Sequence, residues 1–350
     1  MNKPTMTSLQ RVLTTLGQQE PDRVPLFLLV TMHGAKELGL SIKDYYSKAE
    51  NVVEGQLRMR RKFRHDCLYP FFHASLETEA FGGETIFTSD GPPNAGEPVI
   101  RRPEEILQLD PPRVSEAACL QKVLEAERQL KASVGDEAPI IGVVMSPFSL
   151  PVMQMGFEAY LDLMIMRPDL FERLMQVNEE FCVDWANAQL AAGATAICFF
   201  DPVSSTSMVT REQYLQMGWK SARSTIARIK GPTATHFASG RCLPIVDDVA
   251  QTGTAIIGVS TSEDLAALKS ASAGRLSLLG NLNGVEMRRW SAQDAETAVK
   301  KAISLAGPGG GFILSDNHGE IPFQVPEEIL LAVSEAVQSW GNYPLHWVNP

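Results

Sequence analysis

No apolar run in this sequence approaches the roughly 18 residues that a bilayer span needs. The beginning, Met1 to Gln19, is polar and mixed in charge, without the apolar core of a secretory leader, so a cytoplasmic location is expected. Cysteine is scarce: Cys67, Cys119, Cys182, Cys198 and Cys242 are odd in number, widely spaced and form no Cys-x-x-Cys pair, which argues against a disulfide scaffold. Positive charge is also short. With 31 Lys and Arg against 41 Asp and Glu, the net charge is −10 and the pI 5.2, so a non-specific grip on nucleic acid or an anionic membrane is not expected. The acidic residues form no tail and read as a solvating surface. No short-period repeat or low-complexity tract is present.

What the 350 residues do contain is ordinary globular composition, 44% hydrophobic and 21% charged. Length alone favours two domains; one suffices only if the elements repeat around a single barrel, typically about 250 residues plus insertions. Apolar runs at 24–30, 67–72, 139–145, 195–200, 232–237, 254–259, 276–282 and 311–314 are rich in Val, Ile, Leu and Phe without strict alternation, as expected of parallel strands buried on both faces. Between them, 45–63, 116–132, 158–190, 211–229, 262–271, 292–305 and 326–340 carry apolar residues three and four apart and read as helices. Thr210, Ser262 and Ser291 precede early acidic residues and read as helix starts, and Pro326 precedes Glu327 and Glu328. Eight strands alternating with helices predict an α/β fold of the (β/α)₈ TIM-barrel type, one domain over 1–350, with a Gly- and Pro-rich insertion near 82–114 forming a hairpin or lid. A doubly wound open sheet is the alternative.

Catalytic groups of a parallel barrel project from the C-terminal ends of its strands. The polar residues at or just after the ends of the successive runs are His33, His73, Ser146, Asp201, His236, Ser260, Asn281 and the trio Asp316-Asn317-His318. Four of the six histidines therefore fall at one rim, with His65 and His346 elsewhere. Local packing or helix capping accounts for any one of the four taken alone; their joint placement favours chemistry, since neutral imidazole serves both as zinc ligand and as general base. Asp201 ends an apolar run beside a proline turn, where a carboxylate must be paired, metal-bound or poised for proton work. Glu77 and Glu79, two apart, would face different ways on a helix, so at most one reaches the mouth. Asp201, His33, His73 and Glu79 are thus the candidate catalytic residues. Cys242, a few residues beyond His236 across a Gly-containing turn, stands close enough in sequence to share an ion with it. Gly-Pro-Gly-Gly-Gly at 307–311 precedes the eighth run, the wrong end to cradle phosphate, and reads as tight-turn chemistry.

Arg23-Val-Pro, Glu77-Thr-Glu-Ala-Phe-Gly-Gly, Ile141-Gly, Ser146-Pro-Phe-Ser-Leu, Asp201-Pro, His236 with Pro244-Ile-Val, Ile257-Gly-Val, Gly280-Asn-Leu, and Ile321-Pro with Val325-Pro-Glu-Glu occur in that order. In this order the chain resembles the uroporphyrinogen decarboxylase superfamily, which includes zinc-dependent corrinoid methyltransferases and has a (β/α)₈ fold. The decarboxylase carries two arginines after its first strand for substrate carboxylates; here the segment reads Val30-Thr-Met-His-Gly-Ala-Lys, with neither. The resemblance to the methyltransferase branch implies zinc held by a His-x-Cys after the fifth strand and a Cys after the eighth. His236 matches that histidine, but Ala238 stands at the first cysteine position and His318 or Gly319 at the second. Candidate metal ligands are therefore His236 with His318, Cys242 and Asp316 as substitutes. The expected function is transfer of a methyl group between a small O- or N-methylated compound and a corrinoid protein, metal-assisted. The corrinoid is expected on a partner, because no Asp-x-His-x-x-Gly cobalamin motif occurs here. The alternatives are a metal-free decarboxylase or lyase and a non-catalytic ligand-binding barrel.

Overall fold

The computed structural model describes residues 5–348; positions 1–4 and 349–350 of the expected single domain lie outside them. Its strands are β1 Leu26–Phe27, β2 Thr85–Ile86, β3 Asn94–Ala95, β4 Ile141–Met145, β5 Ala196–Phe200, β6 Thr233–His236, β7 Ile256–Gly258, β8 Ser277–Leu282 and β9 Phe312–Asp316. All but β2 and β3 form one parallel sheet in the order β1-β9-β8-β7-β6-β5-β4. The gap between β1 and β4 is filled by the second apolar run. Asp66 N donates to Leu26 O at 2.7 Å, and Leu68 pairs with Ile140 as a single parallel bridge. This run was expected to be a full strand. Pro70 supplies no N–H to continue a ladder, and Tyr69 N donates instead to the side chain of Gln56 at 2.9 Å.

One buried cluster, including Phe27, Leu29, Cys67, Tyr69, Val143, Cys198, Leu279 and Ile313, fills the barrel. The alternate positions, such as Leu26, Leu28, Leu278 and Leu314, pack in a second cluster with the helices. Both faces are therefore apolar, which is why the runs do not alternate. No helix of the described residues is long and apolar enough to cross a membrane.

Two expected helices are each broken in two. The stretch 158–190 is Phe157–Met166 followed by Pro168–Ala192, because Pro168 can begin a helix but not continue one. The stretch 211–229 divides into Arg211–Gln216 and Gly218–Ile226. There a Cβ on Gly218 would lie 2.4 Å from Ser204 Oγ, so the glycine admits the loop after β5. Thr210 and Ser291 cap as expected. Ser262 does not: its hydroxyl bonds Ser260 at 2.9 Å, and the helix starts at Asp264, whose carboxylate accepts from Ala266 N and Ala267 N. The insertion contains the antiparallel pair β2–β3 and a 3₁₀ turn, Pro103–Gln108. Gly309, Gly310 and Gly311 all have positive φ, and a Cβ on Gly310 would meet Gln19 O at 2.3 Å.

Candidate active site

β5 and β6 run in register, pairing Phe200 with His236 at their C-terminal ends. The two rings stack with centroids 5.6 Å apart. On the other side β7 presents Gly258, where a Cβ would lie 2.6 Å from His236 Cδ2. The loop after β9 presents Gly319, where a Cβ would lie 3.5 Å from His236 Cε1. Gly258 thus makes room for the imidazole, and Gly319, where a Cβ would lie 2.8 Å from Phe200 Cε2, makes room for the ring stacked on it. It is wholly buried, and burial together with nearby His318 pulls its pKa down to about 4, so the ring is neutral at physiological pH. Ala238 N donates to His236 Nδ1 at 2.9 Å, while Nε2 has no partner among the described residues.

β9 ends at Asp316. Its Oδ2 accepts from His318 N at 2.7 Å and Gly319 N at 3.0 Å, which curls the following loop back over the mouth; Oδ1 is buried and unpartnered among the described residues. Burial raises the Asp316 pKa to about 6 against those two bonds. Glu320, next in this loop, is raised to about 7 by burial and by the charge of Asp316, and its carboxylate accepts from the Thr31 hydroxyl. Tyr69, inside the barrel, lies within the field of both carboxylates. His236, Asp316 and His318 are therefore brought together, joined by Glu320, which the sequence reading passed over. The signal was available: Glu320 sits in the same short loop after the last apolar run as Asp316 and His318.

The other candidates stand elsewhere on the rim. Asp201 follows Phe200, so strand alternation turns its carboxylate outward, away from His236. Its Oδ1 accepts from Ser146 Oγ at 2.5 Å and Ser149 Oγ at 2.8 Å, and Ser149 Oγ also accepts from Val203 N. Burial raises its pKa and these serines oppose the rise. His33 begins the helix His33–Leu38, buried beside Phe323, and burial together with Lys36 pulls its pKa down to about 3 against the Val325 backbone. His73 Nδ1 lies 2.8 Å from Ser75 Oγ, and the ring meets Tyr46 and Phe87 edge-on. Glu79 accepts from the Thr85 hydroxyl at 2.9 Å, tying the helix Leu76–Ala80 to the β2–β3 hairpin.

Cys242 is turned away from His236 into the packing outside the barrel. Glu263 accepts from Cys242 N and Leu243 N and lies 3.5 Å from Cys242 Sγ, so a neighbouring loop claims this cysteine. Among the described residues no group of three or more His, Cys, Asp or Glu side chains is arranged to hold a metal ion. Zinc also requires a bare imidazole nitrogen. At His236 the nitrogen bonded to Ala238 N is the acceptor, which leaves the proton on Nε2 and no lone pair there for an ion. The residues present do not fit zinc.

Glu77, not Glu79, is the buried member of its pair. Its Oε1 accepts from Met145 N at 2.9 Å, and burial pushes its pKa up to about 8 against that bond and the nearby Trp185 side chain. The native state keeps this proton up to about pH 8 while the unfolded chain releases it near 4.5, the ordinary value for glutamate. Stability is therefore lost as pH rises from about 4.5 to 8 and levels off above, a loss of roughly 3 kcal/mol by pH 7. Glu77→Gln keeps the acceptor for Met145 and removes the titration. Urea denaturation is expected to show wild type and variant alike near pH 4 and the variant increasingly more stable up to pH 8. A constant difference across that range would contradict the assignment.

A parallel βα barrel with its polar groups gathered at the C-terminal rim defines the class: an enzyme scaffold of the TIM-barrel type. The sequence profile of uroporphyrinogen decarboxylase (URO-D) matches residues 7–340, and the chain belongs to that family. The uroporphyrinogen decarboxylase of Coxiella burnetii (strain RSA 493 / Nine Mile phase I) is 24% identical over 95% of each chain. Methylcobamide:CoM methyltransferase MtaA of Methanosarcina barkeri is 28% identical over 54% of this chain and 57% of its own length. Among solved structures, a methyltransferase from Methanosarcina mazei superposes with a TM-score of 0.80 at 21% identity, covering 96% of this chain and 99% of that one.

Proposed function

We propose that this protein moves a methyl group between a small O- or N-methylated compound and a corrinoid carried by a separate protein. The choice within the family rests on the charge of the mouth. The segment after β1 offers Thr31, His33 and Lys36 where the decarboxylase pattern has arginines, and Lys36 is committed to Phe323, donating to its carbonyl and lying 4.2 Å from its ring centroid. Beside this segment stand Asp316 and Glu320, neither of which forms an ion pair with a Lys or Arg among the described residues, and burial raises the pKa of both. A substrate bearing many carboxylates meets repulsion here instead of guanidinium forks. A neutral or cationic methyl compound does not. The relative named as a methylcobamide methyltransferase supports the same reading; the many relatives named as decarboxylases support the alternative.

The bound corrinoid partner would supply the methyl-accepting or methyl-donating centre. This chain's own part is to bury the small compound at the mouth, exclude water with the loop 317–320 and the Phe200 ring, and orient the heteroatom that keeps or loses the methyl group. Incubation with uroporphyrinogen is expected to yield no decarboxylated product by chromatography; detectable turnover would reverse the choice of branch. Incubation with a panel of O- and N-methylated compounds and a reduced corrinoid protein is expected to methylate the corrinoid, read in its visible spectrum.

A further inference from the structure

We propose that His236 serves this mouth as a hydrogen-bond donor through Nε2–H, in place of the zinc that the family resemblance implies. The inference rests on the proposed methyl transfer for its context but on the geometry of the ring for its content. A backbone amide can only donate, so the 2.9 Å contact from Ala238 N makes Nδ1 an acceptor. A neutral imidazole has one proton, which then sits on Nε2. That N–H is wholly buried and without a partner among the described residues. An unmatched buried donor costs on the order of 1–3 kcal/mol, and in a rim position it is available to an acceptor on a ligand.

The surroundings agree with a donor and not with an ion. Neither position that the resemblance gives to a thiolate holds one: Ala238 stands at the first, and His318 or Gly319 at the second. Ala238 is also the residue whose N–H fixes the tautomer. Phe200 and Gly258 hold the ring plane, so Nε2–H has a set direction before any ligand arrives. A donor held in this way stabilises the lone pair that gathers on a heteroatom as its bond to methyl breaks. The electron pair of the broken bond stays on that heteroatom, the methyl group passes without it to the partner's reduced corrinoid, which would supply the pair for the new bond, and the histidine proton remains on nitrogen, since neutral imidazole is too weak an acid to give it up.

Three measurements test this, two of them independent of turnover. Long-range ¹⁵N–¹H correlation of His236 is expected to show protonated Nε2 and bare Nδ1; the opposite tautomer would overturn the proposal. Protein purified without a histidine tag is expected to contain well under one zinc per chain, and added zinc is expected to leave the His236 resonances in place. Stoichiometric zinc lost in His236→Ala would overturn it. In the methyl-transfer assay, His236→Gln, whose amide N–H replaces Nε2–H, is expected to keep about a tenth of the rate. His236→Asn, which reproduces only the Nδ1 acceptor, is expected to lose 10²- to 10³-fold, the usual effect of deleting one such donor. Equal losses in the two variants would count against a donor role. Absence of methyl transfer in wild type would sink the proposed function while leaving the tautomer and metal results to stand or fall alone.

Discussion

Gly258→Ala is expected to lower kcat/KM by two orders of magnitude or more while leaving a folded barrel. A Cβ at this position would lie 2.6 Å from His236 Cδ2, 2.7 Å from Cγ and 3.0 Å from Nε2. The ring cannot retreat, because Phe200 stacks on it and the Gly319 loop closes on its far edge. The methyl group must therefore push the imidazole out of line, and a displacement of about 1 Å at a positioned group can cost 10²-fold. Overpacking of this kind costs about 1–3 kcal/mol in stability, a burden that a barrel of this size bears. Gly17→Ala is the control: its φ is −72° and the nearest atom to a new Cβ is 3.4 Å away, so the rate is expected to hold and stability to change by no more than about 1 kcal/mol. Thermal denaturation separates the two effects of Gly258→Ala. An unchanged rate would mean that the placement of His236 does not govern turnover.

The largest stability effect is expected at the other end of the barrel, from Asp66→Ala. This wholly buried carboxylate accepts from Arg11 Nη1 at 2.6 Å, Arg23 Nη1 at 2.7 Å, Arg23 Nη2 at 2.9 Å, Leu26 N at 2.8 Å and Ser8 Oγ at 2.9 Å. It anchors the N-terminal helix Ser8–Leu16 to the start of β1. Its removal leaves the Arg23 guanidinium, which is also buried, without a counter-charge. Breaking one side of a buried pair costs about 3–5 kcal/mol. Arg11 loses less because Asp22 still receives its Nε at 2.6 Å. Urea midpoints are expected to fall accordingly in Asp66→Ala and less in Asp66→Asn, which retains an acceptor. Activity below the unfolding transition is expected to persist, since conservation of geometry at this end serves stability and not chemistry. A loss under about 1 kcal/mol would show that the cluster only roughly balances its own desolvation.

The Arg23-Val-Pro segment illustrates what the sequence can and cannot tell. As part of an ordered set of motifs it marked the family, yet its physical role depends on Asp66, 43 residues away. The barrel itself was legible because parallel strands covered on both faces leave a characteristic record, unbroken apolar runs of strand length between helical periods. Reading the residue after each run placed His236, Asp316 and His318 on the rim, because a strand end carries its successor to the mouth. The same rule cannot say which way a residue turns. Phe200 takes the inward position, so Asp201 is left for the serines of the turn after β4. Cys242 seemed close to His236 along the chain, but Glu263 from another loop captures it. The tautomer of His236 was beyond reach altogether, since one backbone N–H at a residue with positive φ decides it.

The seam between β1 and β4 has a mechanical consequence. A ring of strands laced by ladders all the way round behaves as a hoop, in which a push at one strand is shared by every other. Here the backbone lacing thins at 66–69 to one amide bond toward β1 and one bridge toward β4; the Asp66 side chain ties the lower end to Leu26 N, and above it a glutamine side chain stands in for a neighbour. The hoop is effectively split, and the segment that hangs from the split leads directly into His73, Glu77 and the hairpin tied down by Glu79. Strain introduced at that part of the rim is expected to be taken up at the seam before it reaches the opposite arc, where His236 and Asp316 stand.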